Sequence, residues 1–160
     1  MRAYYFGNFY LSSIQQGIQA GHVTHELFVK YPDRHIPASQ GDRLWEWAEH
    51  HKTMILLNGG MASRLMDTER FLKDEDNPYP WTSFREEKNA LNGSITSVGI
   101  ILPAKIYVGA STLRENKLPW SFFAEKPSLQ LNSPEIHSTV AYTRFEALLM
   151  YKLNEHELAT

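Results

Sequence analysis

The sequence predicts an α/β fold in which a mixed central sheet of about four to five strands is flanked by helices. Through the first hundred residues, apolar segments of β-forming residues alternate with amphipathic helical segments, which is the pattern of this class. The segment at residues 2–10 is too apolar for an edge strand with one solvated face, which indicates a central strand covered on both faces, and residues 94–102 have the composition of a strongly buried strand. We expect one domain for the 160 residues, with a core at 1–103 and a C-terminal extension at 104–160 that ends in a helix.

The first helix follows the first strand directly. Either Ser12 or Ser13 can cap it, because each serine is followed three residues later by a glutamine that completes a capping box. We expect the helix to end at about Lys30, before Pro32. Gly17 would allow the helix backbone to approach the sheet closely. Helical spacing predicts a sheet-facing stripe formed by Ile14, Ile18, Gly21 and Phe28.

The other elements follow from runs of apolar residues and from turn signals. The core continues with a helix at residues 43–51, a strand at 53–58, a helix at 61–73, a strand at 81–84, a polar loop at 85–93 and a strand at 94–102. In the extension we expect a short strand at 104–111 and a terminal helix at 143–158, whose apolar positions are Phe145, Leu148, Leu149 and Leu153.

Composition excludes several classes of protein. The formal net charge is −2, so nucleic acid is not favoured as a partner, although a local basic groove would permit it. The chain has no cysteine, which excludes disulfides, thiolate catalysis and cysteine metal sites. The opening residues lack the features of a secretory signal, and no apolar run reaches the roughly 20 residues that span a bilayer. We therefore expect a cytoplasmic protein with no membrane partner.

Two short motifs frame the core. The first helix carries Gln15-x-x-x-Gln19-x-x-His22-Val23, and the last core strand reads GSITSVGI at residues 93–100. They resemble the Lys-x-x-x-Gln-x-x-His-Ala run and the Gly-Thr-Val-Thr-x-x-Gly-Ile strand of the type II peptidyl-tRNA hydrolases of archaea and eukaryotes. The strand at residues 53–58 also lies where that family has its second core strand. The resemblance covers about residues 1–103 and implies the fold of that family.

The resemblance does not extend to the residues that carry the family's chemistry. Gln15 stands where the family has a helix lysine, and the loop Gln-Asp-Ala-Gly-Arg-Thr-Gln of the family corresponds to about residues 83–89, which read SFREEKN. We therefore do not extend peptidyl-tRNA hydrolase activity to this chain. The opening residues also resemble small proteins encoded by tailed bacteriophages, and that resemblance implies a counter-defence role in the host cytoplasm.

A polar stripe on the first helix indicates a ligand site. One helix face carries, at helical spacing, the residues Gln15, Gln19, His22 and Glu26. In an open α/β sheet, ligands bind beyond the carboxyl ends of the strands, and Asn8 and Tyr10 lie at the end of the first strand. The helix N-terminus behind Ser12 and Ser13 would meet a phosphate. The amide side chains, among them Gln15 and Gln19, would contact a base or a ribose hydroxyl without adding charge.

The loop FREEKN supplies the candidate catalytic carboxylate. Glu86 and Glu87 point in opposite directions if the segment is strand-like, so only one of them can face the cleft. That glutamate and His22 would form an acid/base pair suited to phosphodiester or ester hydrolysis. Arg85 and Lys88 would neutralise a phosphate.

Each of these features also has a purely structural interpretation. Gln19 and His22 can be buried and hydrogen-bonded to loop backbone, so that they hold the fold together. The charged loop can be a solvated turn. His22 and His25 have a spacing that ligates zinc, but a third ligand at a fitting spacing is missing from the sequence. We therefore expect neither a metal nor a cofactor.

Three functions remain open. The first is binding, with or without hydrolysis, of a small phosphorylated nucleotide or a cyclic dinucleotide signal. The second is hydrolysis of peptidyl-tRNA or another RNA ester. The third is a non-catalytic inhibitor that contacts a protein partner through the aromatic segment LPWSFF. We also expect a homodimer, because that segment would need cover and two-fold dimers are the commonest oligomers.

Overall fold

The computed structural model of the chain describes residues 1–122 and 127–156. These residues form two compact units, Met1–Ile101 and Leu102–His156. Each unit contains both strands and helices, and the α/β class predicted from the sequence is confirmed.

A mixed sheet of four strands forms the centre of the first unit. Its order is β2-β1-β4-β3, with the strands β1 (Arg2–Gly7), β2 (Met54–Asn58), β3 (Trp81–Arg85) and β4 (Ile95–Leu102). β1 pairs with β2 in parallel, whereas β3 pairs with β4 in the antiparallel direction. The strands expected near residues 2–10, 53–58 and 94–102 are therefore present. Every residue of β4 is buried, as in a central strand that is covered on both faces.

Helices connect the strands of this unit. They are α1 (Ser13–Lys30), α2 (Gln40–Glu46), which continues as a π-helix at Trp47–His51, α3 (Ala62–Leu72) and the short α4 (Lys88–Leu91). Ser12 caps α1 and Gln15 completes the capping box, as the sequence predicts. The segment at residues 85–93 is not entirely a loop, as the sequence predicts, because Arg85 is the last residue of β3 and residues 88–91 form α4.

The second unit consists of α5 (Ala104–Glu115), the hairpin of β5 (Ser128–Asn132) and β6 (His137–Ala141), and α6 (Arg144–Asn154). The predicted terminal helix is confirmed, whereas the predicted strand at residues 104–111 is wrong because this segment belongs to α5. The segment is rich in β-forming residues, but helical spacing decides its structure. The segment packs on α6, and its buried residues recur at helical spacing, namely Ile106, Tyr107, Gly109, Ala110 and Leu113.

The aromatic segment LPWSFF follows α5. Trp120 is 40% exposed, and its ring lies edge-on to that of Tyr151 in α6, with 5.7 Å between the ring centroids. Phe122 is half-buried, and Phe123 lies outside the described residues. The tryptophan therefore packs against its own unit, which makes the segment a less accessible anchor than the sequence indicates.

The face of α1 that packs on the sheet differs from the predicted one. Ile14 and Ile18 are 77% and 55% exposed. The residues that α1 buries are Gln16, Gln19, Ala20, Val23 and Leu27. The reason is a close contact with β4, where a Cβ atom at Gly99 would lie 2.5 Å from Val23 Cγ1. The face that contains Ala20 and Val23 approaches the strand, and the isoleucines are turned toward solvent.

Two glycines of α1 also face outward. The sequence predicts that Gly17 and Gly21 approach the sheet, but a Cβ atom at either position would meet no atom of the described residues within 4 Å beyond the local helix. Phe28, by contrast, packs against the core as predicted. A glycine in a helix interior costs about 0.5–1 kcal/mol relative to alanine. No contact among the described residues requires glycine at these two positions.

The C-terminal end of α1 is fixed to the start of β3. The Lys30 ammonium and the Tyr31 hydroxyl both donate to the carbonyl oxygen of Trp81, at 2.9 and 3.1 Å. The ammonium also lies 4.0 Å from the centroid of the Trp81 ring, which is a cation–π geometry. Partial burial of the ammonium lowers the pKa of Lys30, and the charge of Lys73 acts in the same direction.

The orientation of α1 can be tested by comparing two alanine variants. Leu27→Ala should destabilise the protein by about 2–5 kcal/mol, because Leu27 is fully buried against the sheet. Ile14→Ala should change the free energy of unfolding by no more than about 0.5 kcal/mol, because the side chain is exposed. Urea denaturation followed by tryptophan fluorescence at low protein concentration measures both values. The opposite order would mean that α1 presents its isoleucines to the sheet.

Candidate functional site

A chain of hydrogen bonds links α1 to the loop after β3 and to the start of β4. Gln19 is buried on α1, and its Nε2 donates to Glu86 Oε1 at 2.7 Å. Its Oε1 accepts from the Thr96 hydroxyl at 2.9 Å. Because an ionised carboxylate can only accept, the NH₂ end of the Gln19 amide faces Glu86, and the Thr96 hydroxyl donates to the oxygen at the other end. One oxygen of the half-buried Glu86 is thereby held in place.

An irregularity in the pairing of β3 with β4 turns Thr96 toward Gln19. The register skips Thr96, because the paired residues are Phe84 with Ser97 and Arg85 with Ile95. Such an extra residue is a β-bulge, which changes the direction of a side chain and is common beside functional sites. The backbone oxygen of Thr96 accepts from the N–H of Asn8, the residue after β1, at 3.0 Å. The bulge therefore joins the end of β1 to the start of β4.

A second buried glutamine lies beside the end of β1. Gln16 Nε2 donates to the carbonyl oxygen of Leu11 at 3.0 Å, but Gln16 Oε1 is buried and has no hydrogen-bond donor among the described residues. Gly7 makes room for it, since a Cβ atom there would lie 2.7 Å from Gln16 Oε1. Ser97 Oγ on β4 is likewise buried without a partner in the described part of the chain. These side chains leave hydrogen-bonding capacity unused next to the chain of bonds through Gln19. We call Asn8, Gln16, Gln19, Glu86 and Thr96 the polar cluster.

The residues between β1 and α1 form local hydrogen bonds. Ser12 Oγ donates to Gln15 Oε1 at 3.1 Å, and the Ser12 N–H donates to the same oxygen at 3.0 Å. Asn8 Oδ1 accepts from the Tyr10 N–H at 3.1 Å. Tyr10 itself is 72% exposed, and its ring centroid lies 4.4 Å from that of Phe9. Gln15, which the sequence assigns to a ligand, therefore closes the start of α1, while Tyr10 is accessible.

His22 lies one turn after Gln19 on α1. It is exposed, and its ring stacks on that of Phe84 with 4.5 Å between the centroids and 11° between the planes. No hydrogen bond or ion pair joins His22 to Glu86 or Glu87 in the described part of the chain. The stacking contact places His22 beside the end of β3, but the predicted acid/base pair is not hydrogen-bonded in this structure.

Arg85 forms an ion pair outside the polar cluster. Its Nη2 lies 2.7 Å from Glu69 Oε2 on α3, and the Ser83 hydroxyl donates to the other oxygen of Glu69 at 2.6 Å. Burial of Glu69 opposes its ionisation, but the bonds from Ser83 and Arg85, with the charge of Lys73, outweigh that effect and hold the pKa of Glu69 below its ordinary value. Arg85 therefore fastens α3 to β3, and its ion pair lies outside the polar cluster.

Glu86 is the carboxylate that meets the polar cluster. Its Oε2 accepts no hydrogen bond among the described residues, so this oxygen is available to a ligand or a water molecule. The remaining residues that the sequence assigns to the site are exposed and form no side-chain hydrogen bond in the same part of the chain, namely Ser13, Glu87 and Lys88. A carboxylate with one oxygen fixed and the other available can accept a proton from a positioned water molecule.

Sequence reasoning does not identify Thr96 or Gln16 as site residues. The bulge that redirects Thr96 depends on how β3 pairs with β4, and no local sequence motif predicts this bulge. Gly7 offers a signal for Gln16, because a glycine in an otherwise apolar strand often marks the close approach of another group.

Comparison with known proteins gives no relative from which a function could be transferred, since no protein-family model and no curated protein matches the chain. The described residues contain no group of three or more His, Cys, Asp or Glu side chains that could hold a metal ion. Among the same residues, no helix is long and apolar enough to cross a membrane. The chemistry of the site is therefore argued from the geometry of the polar cluster.

The role of Thr96 can be tested by removing its hydroxyl at nearly constant volume. Thr96→Val should destabilise the protein by about 1–3 kcal/mol, because Gln19 Oε1 would be left buried without a donor. Thr96→Ser keeps the hydroxyl and should retain more of the stability than the valine variant does. Denaturant midpoints of the three proteins provide the comparison. A valine variant as stable as the wild type would mean that the hydroxyl does not hold Gln19.

Proposed function

We propose that this protein binds a small phosphorylated nucleotide beyond the end of β1 and hydrolyses it with Glu86 as the general base. The observation that carries the proposal is the bond from the buried Gln19 to Glu86, with the Thr96 hydroxyl bonded to the other end of the amide. A carboxylate that a buried amide holds in place differs from the side chain of a solvated turn, and a positioned carboxylate can act as a general base.

The start of α1 supplies the phosphate contact in this proposal. The N–H groups of Ser13 and Ile14 have no intrahelical acceptor, because they belong to the first turn. The helix dipole adds partial positive charge at the same end, and α1 carries no acidic residue in its first turn. A phosphate can therefore bind here without the excess of Lys and Arg that a long nucleic acid requires.

The exposed aromatic rings before α1 supply the base contact. Tyr10 and Phe9 form a tilted pair, and Tyr10 is the more exposed of the two. A nucleobase stacks on such a ring whatever its identity, and stacking contributes about 1–3 kcal/mol per base. A small nucleotide with one or two phosphates, including a cyclic dinucleotide, fits this combination. The bacteriophage resemblance of the opening residues favours a host signalling nucleotide as the ligand and a counter-defence role.

In the hydrolytic step, Glu86 Oε2 removes a proton from a water molecule, and the oxygen of that water molecule attacks the phosphorus atom. The bond from phosphorus to the leaving oxygen breaks, and that oxygen takes a proton. His22 is our candidate donor, because it lies one turn from Gln19 and stacks on Phe84 beside the same loop. Each of the two groups completes one proton transfer, so the reaction needs no other co-reactant than water.

Hydrolysis of peptidyl-tRNA or another RNA ester is the less favoured alternative. The order of strands and helices in the first unit is compatible with the resemblance to type II peptidyl-tRNA hydrolases. Gln15, however, stands at the position of the family's lysine, and its side chain accepts the hydrogen bond from the Ser12 N–H that caps α1. The formal net charge of −2 also argues against an RNA substrate, since RNA binding depends on basic surface.

The proposal is tested with two adjacent glutamates, one in the polar cluster and one outside it. Glu86→Gln should lower the rate of hydrolysis by about 10²-fold or more, because the amide cannot accept the proton from water. Glu87→Gln is the matched control and should keep the wild-type rate, because Glu87 is exposed outside the cluster. The assay incubates each protein with a panel of cyclic and linear nucleotides and separates ligand from product by chromatography.

Heat denaturation before chromatography distinguishes an enzyme from a binding protein. New products that appear with wild type and Glu87→Gln but not with Glu86→Gln support the proposal. Intact nucleotide released only by heat would restrict the function to binding, with Glu86 as a ligand contact. Absence of both binding and turnover across the panel would refute a nucleotide site at the polar cluster.

A further inference from the structure

Three basic side chains lie close together beside β3, and one carboxylate lies among them. Arg85 Nη2 and Lys73 Nζ both approach Glu69 Oε2, at 2.7 and 3.7 Å. Lys30 reaches the same region from the end of α1, since the charges of Lys73 and Glu69 both act on its pKa. Three positive charges and one negative charge leave this group with a local formal charge of +2, in a chain whose net charge is −2.

Glu69 neutralises Arg85 rather than the two lysines. Its Oε1 accepts from the Ser83 hydroxyl at 2.6 Å, and its Oε2 accepts from Arg85 Nη2 at 2.7 Å. Lys73 Nζ lies beyond hydrogen-bonding distance of the same oxygen, at 3.7 Å, and the Lys73 side chain is 62% exposed. A loose, exposed ion pair of this kind contributes little, so the charge of Lys73 stays largely uncompensated.

The Lys30 ammonium has no carboxylate within ion-pair distance in the described part of the chain. Its position is nevertheless fixed, because it donates to the Trp81 carbonyl oxygen at 2.9 Å and lies 4.0 Å from the centroid of the Trp81 ring. Both of these groups are neutral. Partial burial and the nearby charge of Lys73 therefore disfavour the charged ammonium, and they lower the pKa of Lys30. An anion between the two ammonium groups would relieve both effects.

We propose that Lys30 and Lys73 form a binding site for a phosphate group beside β3. We call these two residues the lysine pair. Phosphate and its monoesters carry close to two negative charges at neutral to alkaline pH, which matches the local charge of +2. A carboxylate ligand would instead favour the planar fork of an arginine, and Arg85 is already occupied by Glu69. An ammonium group acts on phosphate as a point charge, so two of them can share one phosphate group.

The lysine pair is separate from the polar cluster. Lys30 is anchored at Trp81, the first residue of β3, whereas Glu86 follows the last residue of that strand. Residues 81 and 86 are about 16 Å apart along an extended chain, at roughly 3.3 Å per residue. The phosphate site therefore does not rest on the proposed nucleotide hydrolysis.

Titration with inorganic phosphate at pH 8 and constant ionic strength tests the site. NMR of protein labelled with ¹³C in its lysine side chains follows the binding, and we expect a dissociation constant on the order of millimolar. Lys30→Gln and Lys73→Gln should each raise that constant at least about 10-fold, because each removes one of the two charges that hold the anion. The Lys73 side chain is exposed, so its variant tests the site even where Lys30→Gln alters the attachment of α1.

Arg70→Gln is the matched control. It removes one positive charge from α3, but Arg70 is exposed and is paired with Asp67 at 2.9 Å. Its dissociation constant for phosphate should stay within about two-fold of the wild-type value. A control variant that loses as much affinity as the lysine variants would reduce the effect to general charge and overturn the proposal.

The pKa of Lys30 gives a second measurement, which a merely structural role of the lysines would not change. A bound phosphate stabilises the charged ammonium, so saturating phosphate should raise the pKa of Lys30 toward its ordinary value. NMR pH titrations with and without phosphate measure this change. An unchanged pKa of Lys30 would overturn the proposal. Phosphate binding that both lysine variants retain would place the anion elsewhere, such as the start of α1, and would also overturn it.

Two phosphate monoesters, AMP and N-acetylphosphoserine amide, distinguish the sources of the phosphate group when their binding is read at Lys30. Dissociation constants equal to that of inorganic phosphate would support a site for the phosphate group alone. Tighter binding of the phosphoserine compound would support a phosphorylated protein as the source. No response of Lys30 to any of the three would overturn the proposal. Lys73→Gln should keep the wild-type rate of nucleotide hydrolysis, because Lys73 lies outside the polar cluster, so the two proposals fail independently.

Discussion

The contact between Val23 of α1 and Gly99 of β4 determines how α1 packs on the sheet of the first unit. No side chain fits at residue 99, where a Cβ atom would lie 2.5 Å from Val23 and 3.0 Å from the Tyr5 ring. This close approach sets the rotation of α1 about its own axis. Once Val23 is buried there, helical spacing also buries Ala20 and Leu27. The same rotation buries glutamines at the start of the helix and turns isoleucines outward, so the placement of every side chain on α1 follows from one contact.

The polar cluster is a consequence of that rotation. Glutamine is rarely chosen for a core position, because each buried amide needs donors and acceptors of its own. Gln19 is tolerated because it lies at the end of the sheet, where Thr96 and Glu86 satisfy its two ends. Gln16 is satisfied at only one end, next to Gly7. A fold that needed only stability would be better served by apolar residues at both positions, and this favours the functional role proposed for the cluster.

Much of the fold can be predicted from the sequence, and the parts that cannot are those decided by tertiary contacts. The central strands are recognisable because they are rich in apolar β-forming residues, and α1 is bounded by the Ser12 cap and Pro32. The rotation of α1 about its axis cannot be predicted in this way. The isoleucines recur at helical spacing, and so do the residues that are buried with Ala20. The segment of α5 contains enough β-forming residues to resemble a strand, and only its packing on α6 resolves the ambiguity. In the site, Glu86 can be proposed from its loop, whereas Thr96 acts through a bulge that exists only when β3 and β4 are paired.

The attachment of Lys30 and Tyr31 to Trp81 has a consequence for assembly. β3 is at the edge of its sheet, and an edge strand is a template on which another chain can add a strand of its own. At Trp81, the first residue of β3, the backbone oxygen already accepts hydrogen bonds from the Lys30 ammonium and the Tyr31 hydroxyl. An incoming strand would have to displace two hydrogen bonds and a charge held over an indole ring before it could pair there. This end of β3 is thereby less available for the addition of a strand from another chain.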